Sequence, residues 1–259
     1  MTEIVVFMNH KGGVGKTTSA VNIAVGIHLL GKRVLMIDID PQANLTMHLL
    51  GDPGDSYPTI YGALRSKYPL PILSIKPGLD IVISTLDLAS AEMELQNETG
   101  REYLLLELLD PFINDYDYVF IDCPPSLGIL TVNALAASTR IIIPVESSAF
   151  SFKGMTRLFD VIAKVKFRLN KKLKSHKVLI TKFDSRKSIQ KQIMEHIQSQ
   201  KLSEVFKTVI RLNVSLEEAT MSKCSVFDID PKSAGAADYM SVCKEILQQQ
   251  LEEEKNTKI

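Results

Sequence analysis

The sequence has few cysteines and lacks long apolar runs. Its three cysteines, Cys123, Cys224 and Cys243, lie far apart and do not have the spacing of a metal site. A set so sparse, and odd in number, is typical of a reduced cytosolic protein. No segment approaches the roughly 18 consecutive apolar residues of a membrane span, and the first residues lack the basic start of a secretory signal. We therefore expect a cytoplasmic protein with no membrane partner.

An excess of charge of either sign is lacking as well. The 259 residues include 30 Lys or Arg and 30 Asp or Glu, so the overall charge points to no polyanionic partner. The sequence has no internal repeat and no low-complexity segment, and its 45% hydrophobic content is enough for one large core. These features predict a single α/β domain over residues 1–259, with a polar tail at about 252–259 that frays.

The clearest chemical signal is the segment N-H-K-G-G-V-G-K-T-T at residues 9–18. It follows an apolar run at residues 4–7, which predicts a buried strand, and precedes apolar residues at helical spacing that end near Leu30. This order predicts a phosphate-binding loop, because backbone N–H groups and a helix N-terminus attract anions. Lys16 would reach the β- and γ-phosphates, and the Thr17 hydroxyl can ligate Mg²⁺. The expected nucleotide contacts here are Lys11, Gly12, Gly13, Val14, Gly15, Lys16, Thr17 and Thr18.

The loop departs from the usual pattern G-x-x-x-x-G-K-[ST], because His10 stands where the first glycine is expected. A second lysine, Lys11, lies at the entrance of the loop instead. One interpretation is an ordinary phosphate-binding loop with a solvated lysine beside it. The other is a lysine with a role of its own.

A pair of aspartates follows the next apolar run. Residues 34–37 predict a second buried strand, and Asp38-Ile39-Asp40-Pro41-Gln42 comes directly after it. Strand, helix and strand of these lengths form a right-handed βαβ unit, which places the end of the second strand beside the loop. We expect Asp40 to face the nucleotide, since ligands bind at the carboxyl ends of parallel strands. A helix N-cap is the alternative for Asp40, and Asp38 is expected to hydrogen-bond with the adjacent loop.

A third strand, predicted at residues 118–121, ends in Asp122. Four apolar residues and an aspartate form a Walker B arrangement, in which the carboxylate holds a Mg²⁺-bound water. Pro124 and Pro125 stiffen the loop that follows. Cys123 is expected to be a small buried residue, and a ligand of an iron–sulfur cluster is the alternative.

The three motifs K-G-G-V-G-K-T-T, D-x-D-P-Q-x-N and D-x-P-P-S resemble those of the ParA/MinD family of ATPases, whose Walker A loop is deviant. The resemblance extends from Ile4 to about Ile246. It implies a P-loop NTPase fold, a doubly wound, mostly parallel α/β sheet flanked by helices, with ATP and Mg²⁺ as ligands. It also implies that Lys11 reaches the nucleotide of a partner subunit and that Asp40 orients the attacking water. The implied catalytic residues are Lys11, Lys16, Asp40 and Asp122, and the implied metal-site residues are Thr17, Asp40 and Asp122.

A later segment extends the resemblance to the base of the nucleotide. Residues 210–219 are similar to the family segment I-P-R-N-V-x-L-x-E-A, which lies against the adenine. The resemblance implies base contacts by Arg211 and Asn213. Arg211 stands at the position of the family's proline, and Leu212 stands at the position of its arginine.

Basic residues concentrate in one part of the chain. Residues 153–191 contain thirteen Lys or Arg and two Asp, and spacings of four, seven and four align some of them along a helix. Such a face attracts a phosphate backbone, and without a base-reading motif it would bind DNA nonspecifically. A solvated face that maintains solubility is the alternative. The candidate DNA contacts are Lys153, Arg157, Lys164, Arg168, Lys171, Lys172, Arg186 and Lys187.

The remaining pattern gives the outline of the fold. It predicts strands at residues 79–83, 141–145 and 177–181, helices within 92–109 and at 155–169 and 236–251, and loops around one short helix (59–66) over 51–78.

Together these features predict an ATPase for the partition of a plasmid or chromosome. By the resemblance, ATP joins two chains in a sandwich dimer that binds nonspecific DNA, and a ParB-like centromere-binding protein stimulates an otherwise slow hydrolysis. Such a protein would be cytoplasmic and nucleoid-associated. A MinD-like membrane-associated positioning ATPase is the alternative. It needs a basic amphipathic C-terminal helix, whereas residues 248–254 are acidic.

Overall fold

The structure, a computed structural model, describes residues 2–54, 57–65, 68–146, 155–187 and 203–257. Its strands are β1 (Glu3–Phe7), β2 (Val34–Asp38), β3 (Ile72–Lys76), β4 (Leu79–Val82), β5 (Tyr118–Asp122), β6 (Arg140–Glu146), β7 (Ser175–Thr181) and β8 (Glu204–Val205). They form one eight-stranded sheet in the order β3-β4-β2-β5-β1-β6-β7-β8. Neighbouring strands are parallel except for β3 and β4, which are antiparallel.

The helices of the described residues are α1 (Lys16–Leu29), α2 (Asn44–Leu49), α3 (Ile60–Leu64), α4 (Leu88–Glu94), α5 (Leu104–Leu109), α6 (Ile129–Ala137), α7 (Met155–Arg168), α8 (Val214–Met221), α9 (Val226–Ile229) and α10 (Ala234–Thr257). Short 3₁₀ turns occupy Leu95–Asn97 and Asp110–Asp115. Among these helices, none combines the length and the apolar character that a membrane crossing requires.

Both faces of the sheet are covered by helices, which explains why its inner strands are continuous apolar runs. Along β1, Val6 packs in the core on the side of α6 and α7, whereas Val5 and Phe7 pack in the core beneath α1 and α10. All residues of β1, β2 and β5 are buried. The prediction of a doubly wound, mostly parallel sheet flanked by helices is confirmed, and the predicted strands lie within one or two residues of β1, β2, β4, β5, β6 and β7.

The prediction for residues 51–78 is partly wrong. The short helix is present as α3, but Ile72–Lys76 forms β3, an edge strand that pairs antiparallel with β4. Prolines at positions 69, 71 and 77 made the segment look like loop. An edge strand tolerates prolines that flank it, because one side of its backbone needs no ladder hydrogen bonds.

The tail that is predicted to fray from about residue 252 lies within α10 as far as Thr257. The Glu253 carboxylate receives hydrogen bonds or ion pairs from Arg140 at 2.5 Å and from Lys174 at 3.5 Å. Tyr118 donates a hydrogen bond to Gln250 one turn earlier. Partners from the sheet therefore hold a segment whose composition alone favours fraying.

Glu3, the first residue of β1, belongs to the same group of charges, at the end of the sheet where β1 and β6 begin. Its carboxylate accepts hydrogen bonds from Arg140 at 3.1 Å, from Lys174 at 2.7 Å and from the Thr139 hydroxyl at 2.7 Å. Only 5% of Glu3 is exposed. Because removing one partner leaves buried charges uncompensated, we infer that this group stabilises the fold as a unit.

We expect Glu3→Gln to lower the free energy of unfolding at neutral pH by about 2 kcal/mol, the size typical of hydrogen bonds to charged groups. Burial raises the pKa of the Glu3 carboxyl, but the bonds from Lys174 and Thr139 and the charge of Arg140 outweigh it, so the pKa lies below its ordinary 4.5. A lowered pKa stabilises the folded state above pH 4.5, and the contribution disappears as pH falls through the folded-state value. Urea unfolding across this range would show a difference between the two proteins that shrinks toward acid.

Glu98→Gln is the matched control, since Glu98 is exposed. We expect it to change the free energy of unfolding by less than about 0.5 kcal/mol at any pH. A Glu3→Gln difference that grows toward acid would contradict this account of the charge group.

Candidate functional site

The glycine-rich loop connects β1 to α1 as predicted, and two of its glycines adopt left-handed backbone conformations. Gly13 has φ 73° and Gly15 has φ 84°, values that other residues rarely adopt. Gly15 is the N-cap residue of α1, so the first amides of the helix point into the loop. The Thr181 hydroxyl, at the end of β7, donates to the Val14 carbonyl at 2.8 Å and holds the loop against the sheet.

The two loop lysines point to different places. Lys16 is buried, and its ammonium donates to the Lys11 carbonyl at 3.5 Å, across the loop. The Lys11 ammonium lies 3.5 Å from Glu146 at the end of β6, and its side chain is 37% exposed. Asn9 connects the loop to the same strand, since its amide donates to the Pro144 carbonyl at 2.7 Å. Lys16 thus lies inside the loop, and Lys11 lies at its rim.

His10, which replaces the first glycine, has a buried Nδ1 without a hydrogen-bond partner among the described residues. Burial lowers the pKa of His10, and the positive charges of Lys16 and Lys11 lower it further. A neutral imidazole therefore lies at the base of the loop at physiological pH.

Three buried aspartates meet the loop from the ends of β2 and β5. The Thr17 hydroxyl donates to Asp122 Oδ2 at 2.6 Å. Asp38 lies beside Asp122 in the parallel register of the two strands. Asp38, as predicted, hydrogen-bonds with the segment after β2, accepting from Asp40 N–H at 3.1 Å and from Thr46. Asp40 is not a helix N-cap, because Ala43 has that position at the start of α2.

The electrostatics of these carboxyls fit a divalent cation. Burial raises the pKa of Asp122, and the neighbouring charge of Asp38 raises it further. Burial raises the pKa of Asp38 to about 7, despite three hydrogen bonds from Thr46 and Asp40 that lower it. Asp122 Oδ1 is buried without a partner among the described residues. An acceptor in this state suits a Mg²⁺-bound water, with the Thr17 hydroxyl beside it as a ligand.

The loop opens into a cleft with two lobes. One lobe, of about 390 Å³, contains the loop and Asp40, and its lining residues are Gly12, Gly13, Gly15, Lys16, Thr17, Thr18, Asp40, Gln42, Asn44, His48, Pro125, Lys182 and Thr220. The other, of about 410 Å³, includes the apolar side chains Ile210, Leu212, Leu216 and Met221. Gly15, Thr18, Lys182 and Thr220 line both lobes, so the two are continuous. This shape suits phosphates in the first lobe and a base in the second.

The predicted base contacts, Arg211 and Asn213, both lie in the second lobe. Asn213 Oδ1 accepts from Ser215 N–H at 2.9 Å and caps α8, which leaves its amide nitrogen for a ligand. The Arg211 guanidinium forms an ion pair with Asp238 at 2.7 Å. Asp238 thus holds the charged end of Arg211 at the wall of the lobe.

Sequence reasoning missed several residues of the cleft. Lys182 lies where the lobes join and has φ 51°, a left-handed conformation that is uncommon outside glycine. Its position directly after β7, at the carboxyl edge of the sheet, was a signal that could have found it. His48 and Thr220 lie on the short helices α2 and α8, for which no sequence motif gave a signal.

The candidate DNA contacts do not form one group. Arg157, Lys164 and Arg168 are exposed along one side of α7. Lys171 and Lys172 are exposed just before β7, and Arg186 and Lys187 are exposed just after it. The seven residues of β7 span about 20 Å, so these two pairs lie at opposite ends of this strand. Lys153 lies outside the described residues.

Nearby acids modify two of these basic regions. Arg186 forms a two-bond ion pair with Asp184, at 2.8 and 2.9 Å, and its side chain is 85% exposed. Lys164 and Arg168 line a groove of about 640 Å³ together with Glu92 and Glu102. These acids reduce the positive potential that a phosphate backbone would meet at the groove.

Cys123 is fully buried beside Asp122, as predicted for a small packing residue. Burial raises its thiol pKa well above the ordinary value, and the charge of Asp122 raises it further. The thiol is therefore protonated and unreactive at physiological pH.

Comparisons with known proteins agree with this geometry. The family model described as an AAA domain matches residues 2–175. The chain is 39% identical over 250 residues to the sporulation initiation inhibitor protein Soj of Bacillus subtilis, which covers 95% of this chain and 98% of Soj. It is 38% identical over 248 residues to the chromosome partitioning protein ParA of Myxococcus xanthus, which covers 94% of this chain and 87% of that protein.

A solved structure shares the fold. The cobyrinic acid a,c-diamide synthase of Mycobacterium smegmatis matches with a TM-score of 0.86 in the form with bound ATP analog and magnesium. The form with bound ADP and magnesium matches with a TM-score of 0.84. It is 29% identical, and the match covers 96% of both chains. This nucleotide-binding fold is therefore shared beyond partition proteins, and Soj and ParA are among the proteins that match nearly the whole chain at 38% to 39% identity. With the second loop lysine and the three motifs at the ends of adjacent strands, the chain belongs to the ParA family of partitioning ATPases.

Proposed function

We propose that this protein is a DNA partition ATPase in which ATP joins two chains into a sandwich dimer. The dimer binds nonspecific DNA, and a ParB-like centromere-binding protein stimulates hydrolysis, which releases the DNA. The observation that carries the proposal is that Lys16, Thr17 and Asp40 line one cleft, with Asp122 hydrogen-bonded to Thr17 and Lys11 at the entrance of the loop.

Each residue has a role that its position supports. The loop amides and Lys16 bind the phosphates, and Thr17 with Asp122 holds Mg²⁺, which neutralises charge on the β- and γ-phosphates. Asp40 lines the cleft, and its Oδ1 accepts from Gln42 N–H at 2.9 Å. No hydrogen bond to its second oxygen, Oδ2, is found within the described ranges, and we infer that this oxygen orients the attacking water.

Lys11 is the residue that makes the site depend on a second chain. In the single chain its ammonium lies near Glu146, with 37% of the side chain exposed. A triphosphate in a facing subunit offers far more negative charge than one carboxylate. Binding of ATP by both chains would therefore draw each Lys11 across the interface, where it stabilises charge that develops on the γ-phosphate.

We expect Lys11→Ala to prevent dimer formation and to reduce ATP hydrolysis by about 100-fold, the effect typical of losing a group that stabilises transition-state charge. The Asp40→Ala protein, in which turnover is blocked, serves as the parent. Light scattering in Mg-ATP should give twice the monomer mass for this parent. The Asp40→Ala, Lys11→Ala protein would keep the monomer mass.

Lys244→Ala is the matched control, because Lys244 is exposed on α10 and does not line the cleft. It should leave both mass and hydrolysis unchanged. A Lys11→Ala protein that pairs as well as its parent would refute the trans role of Lys11.

DNA binding can be tested separately on α7 and on the segment that follows β7. We expect Arg157→Ala, Lys164→Ala and Arg168→Ala together to weaken retention on nonspecific DNA in Mg-ATP. Each lost phosphate contact should reduce the slope of log K against log salt by about 0.9. A second variant, Arg186→Ala with Lys187→Ala, reports on the segment that follows β7, and ATP affinity should stay unchanged in both.

The charge-matched control replaces three lysines elsewhere by alanine: the half-exposed Lys32 and the exposed Lys207 and Lys244. Its salt slope should equal that of the wild type. Retention that does not require ATP, or slopes that fall equally in the control, would contradict nucleotide-controlled DNA binding through these faces.

A membrane role is tested by co-sedimentation with anionic liposomes in Mg-ATP. We expect no co-sedimentation, because the end of α10 carries Glu252 and Glu253, and an anionic surface repels carboxylates. ATP-dependent binding to the vesicles would favour the MinD-like alternative over DNA partition.

A further inference from the structure

We propose that Thr46 and Ser84 are positioning residues for hydrolysis, because their hydroxyl groups fix the backbone on both sides of Asp40. The inference rests on the proposed function, in which Asp40 orients the attacking water. Both residues are fully buried, and neither lines the cleft. Any effect they have on hydrolysis therefore passes through other residues.

The first part of this arrangement is anchored on Asp38, the last residue of β2. Asp38 Oδ1 accepts the N–H of Asp40 at 3.1 Å. Asp38 Oδ2 accepts both the N–H and the hydroxyl of Thr46, each at 2.8 Å. One carboxylate thus holds the start of the Asp40 segment and the first turn of α2.

The second part reaches across to the segment that follows β4. The Thr46 hydroxyl accepts the N–H of Ser84 at 3.0 Å, and the Ser84 hydroxyl donates to the Asp40 carbonyl at 2.8 Å. The Thr46 hydroxyl thus accepts from Ser84 and donates its own proton to Asp38. These bonds form a closed ring through Asp38, Thr46, Ser84 and Asp40.

The ring holds the N–H and the carbonyl of Asp40, while its side-chain Oδ1 is held by Gln42 N–H. The position of the other carboxylate oxygen, Asp40 Oδ2, therefore follows from the position of the Asp40 backbone. Misplacement of a catalytic group by about 1 Å can cost on the order of 100-fold in rate. We infer that the ring sets the position from which Asp40 acts on water, and that phosphate binding by the loop does not depend on it.

The decisive variants are Thr46→Val and Ser84→Ala. Thr46→Val keeps the shape of the side chain but removes the hydroxyl that both donates and accepts, and Thr46→Ser restores this hydroxyl. Ser138→Ala is the matched control for Ser84→Ala, since Ser138 is also buried and donates its hydroxyl to a backbone carbonyl, at Leu135. Ser138 lies two residues before β6, at the end of that strand opposite the cleft.

The measurements are kcat for phosphate release in saturating Mg-ATP and the affinity for Mg-ADP. We expect Thr46→Val to lower kcat by about 10- to 100-fold. Ser84→Ala should lower kcat as well, Thr46→Ser should recover most of the loss, and Ser138→Ala should keep the wild-type kcat. The affinity for Mg-ADP should be the same in all five proteins.

Three results would overturn the inference: wild-type kcat in Thr46→Val and Ser84→Ala, an equal loss in Ser138→Ala, or a fall in Mg-ADP affinity that matches the fall in kcat. If Thr46→Val does not fold, Ser84→Ala against Ser138→Ala decides the question. Asp40→Ala separates this inference from the proposed function. Full activity in that variant would refute the role of Asp40 itself, whereas an inactive Asp40→Ala beside fully active ring variants would refute only the ring.

Discussion

The site depends on the parallel register of three adjacent strands. Asp122 at the end of β5 lies beside Phe7 of β1 on one side and Asp38 of β2 on the other. Because parallel strands in register end at the same level, the glycine loop, the two aspartates at the end of β2 and the Walker B aspartate meet without any long insertion. A shift of β5 by one residue would turn its side chains to the opposite faces and separate Asp122 from Thr17. The apolar packing on both faces makes such a shift costly.

The same register produces a cost that the site must offset. Asp38, Asp40 and Asp122 are almost completely buried within one small region, and burial of unpaired charge is unfavourable. Asp38 has three donors around its carboxylate, but Asp122 has one from Thr17, and its second oxygen has none among the described residues. The region is thus preorganised to gain free energy from a divalent cation and its waters. In the proposed function, nucleotide binding with Mg²⁺ supplies this missing charge.

Much of this arrangement could be predicted from the sequence, because the signals are local. Strand, turn and helix patterns predicted β1, β2, β5 and the loop, and strand ends predicted that Asp40 and Asp122 would face it. The edge strand β3 could not be predicted, since its pairing with β4 is visible only in three dimensions. The final turns of α10 depend on Arg140 and Lys174, which are distant in sequence. The ring of Thr46 and Ser84 is likewise formed by residues 38 positions apart.

The fold also bears on how ATP would control DNA binding in the proposed function. The strand β6 ends at the cleft, where Glu146 lies near Lys11. At the opposite end of the same strand, Arg140 forms ion pairs with Glu3 and Glu253. It pairs with β7 in unbroken register over seven residues. Basic side chains on α7 and at the ends of β7 are already exposed in the single chain. In the proposed function, ATP would control DNA binding by bringing two such faces together, because a second set of phosphate contacts on the same DNA acts at high effective concentration.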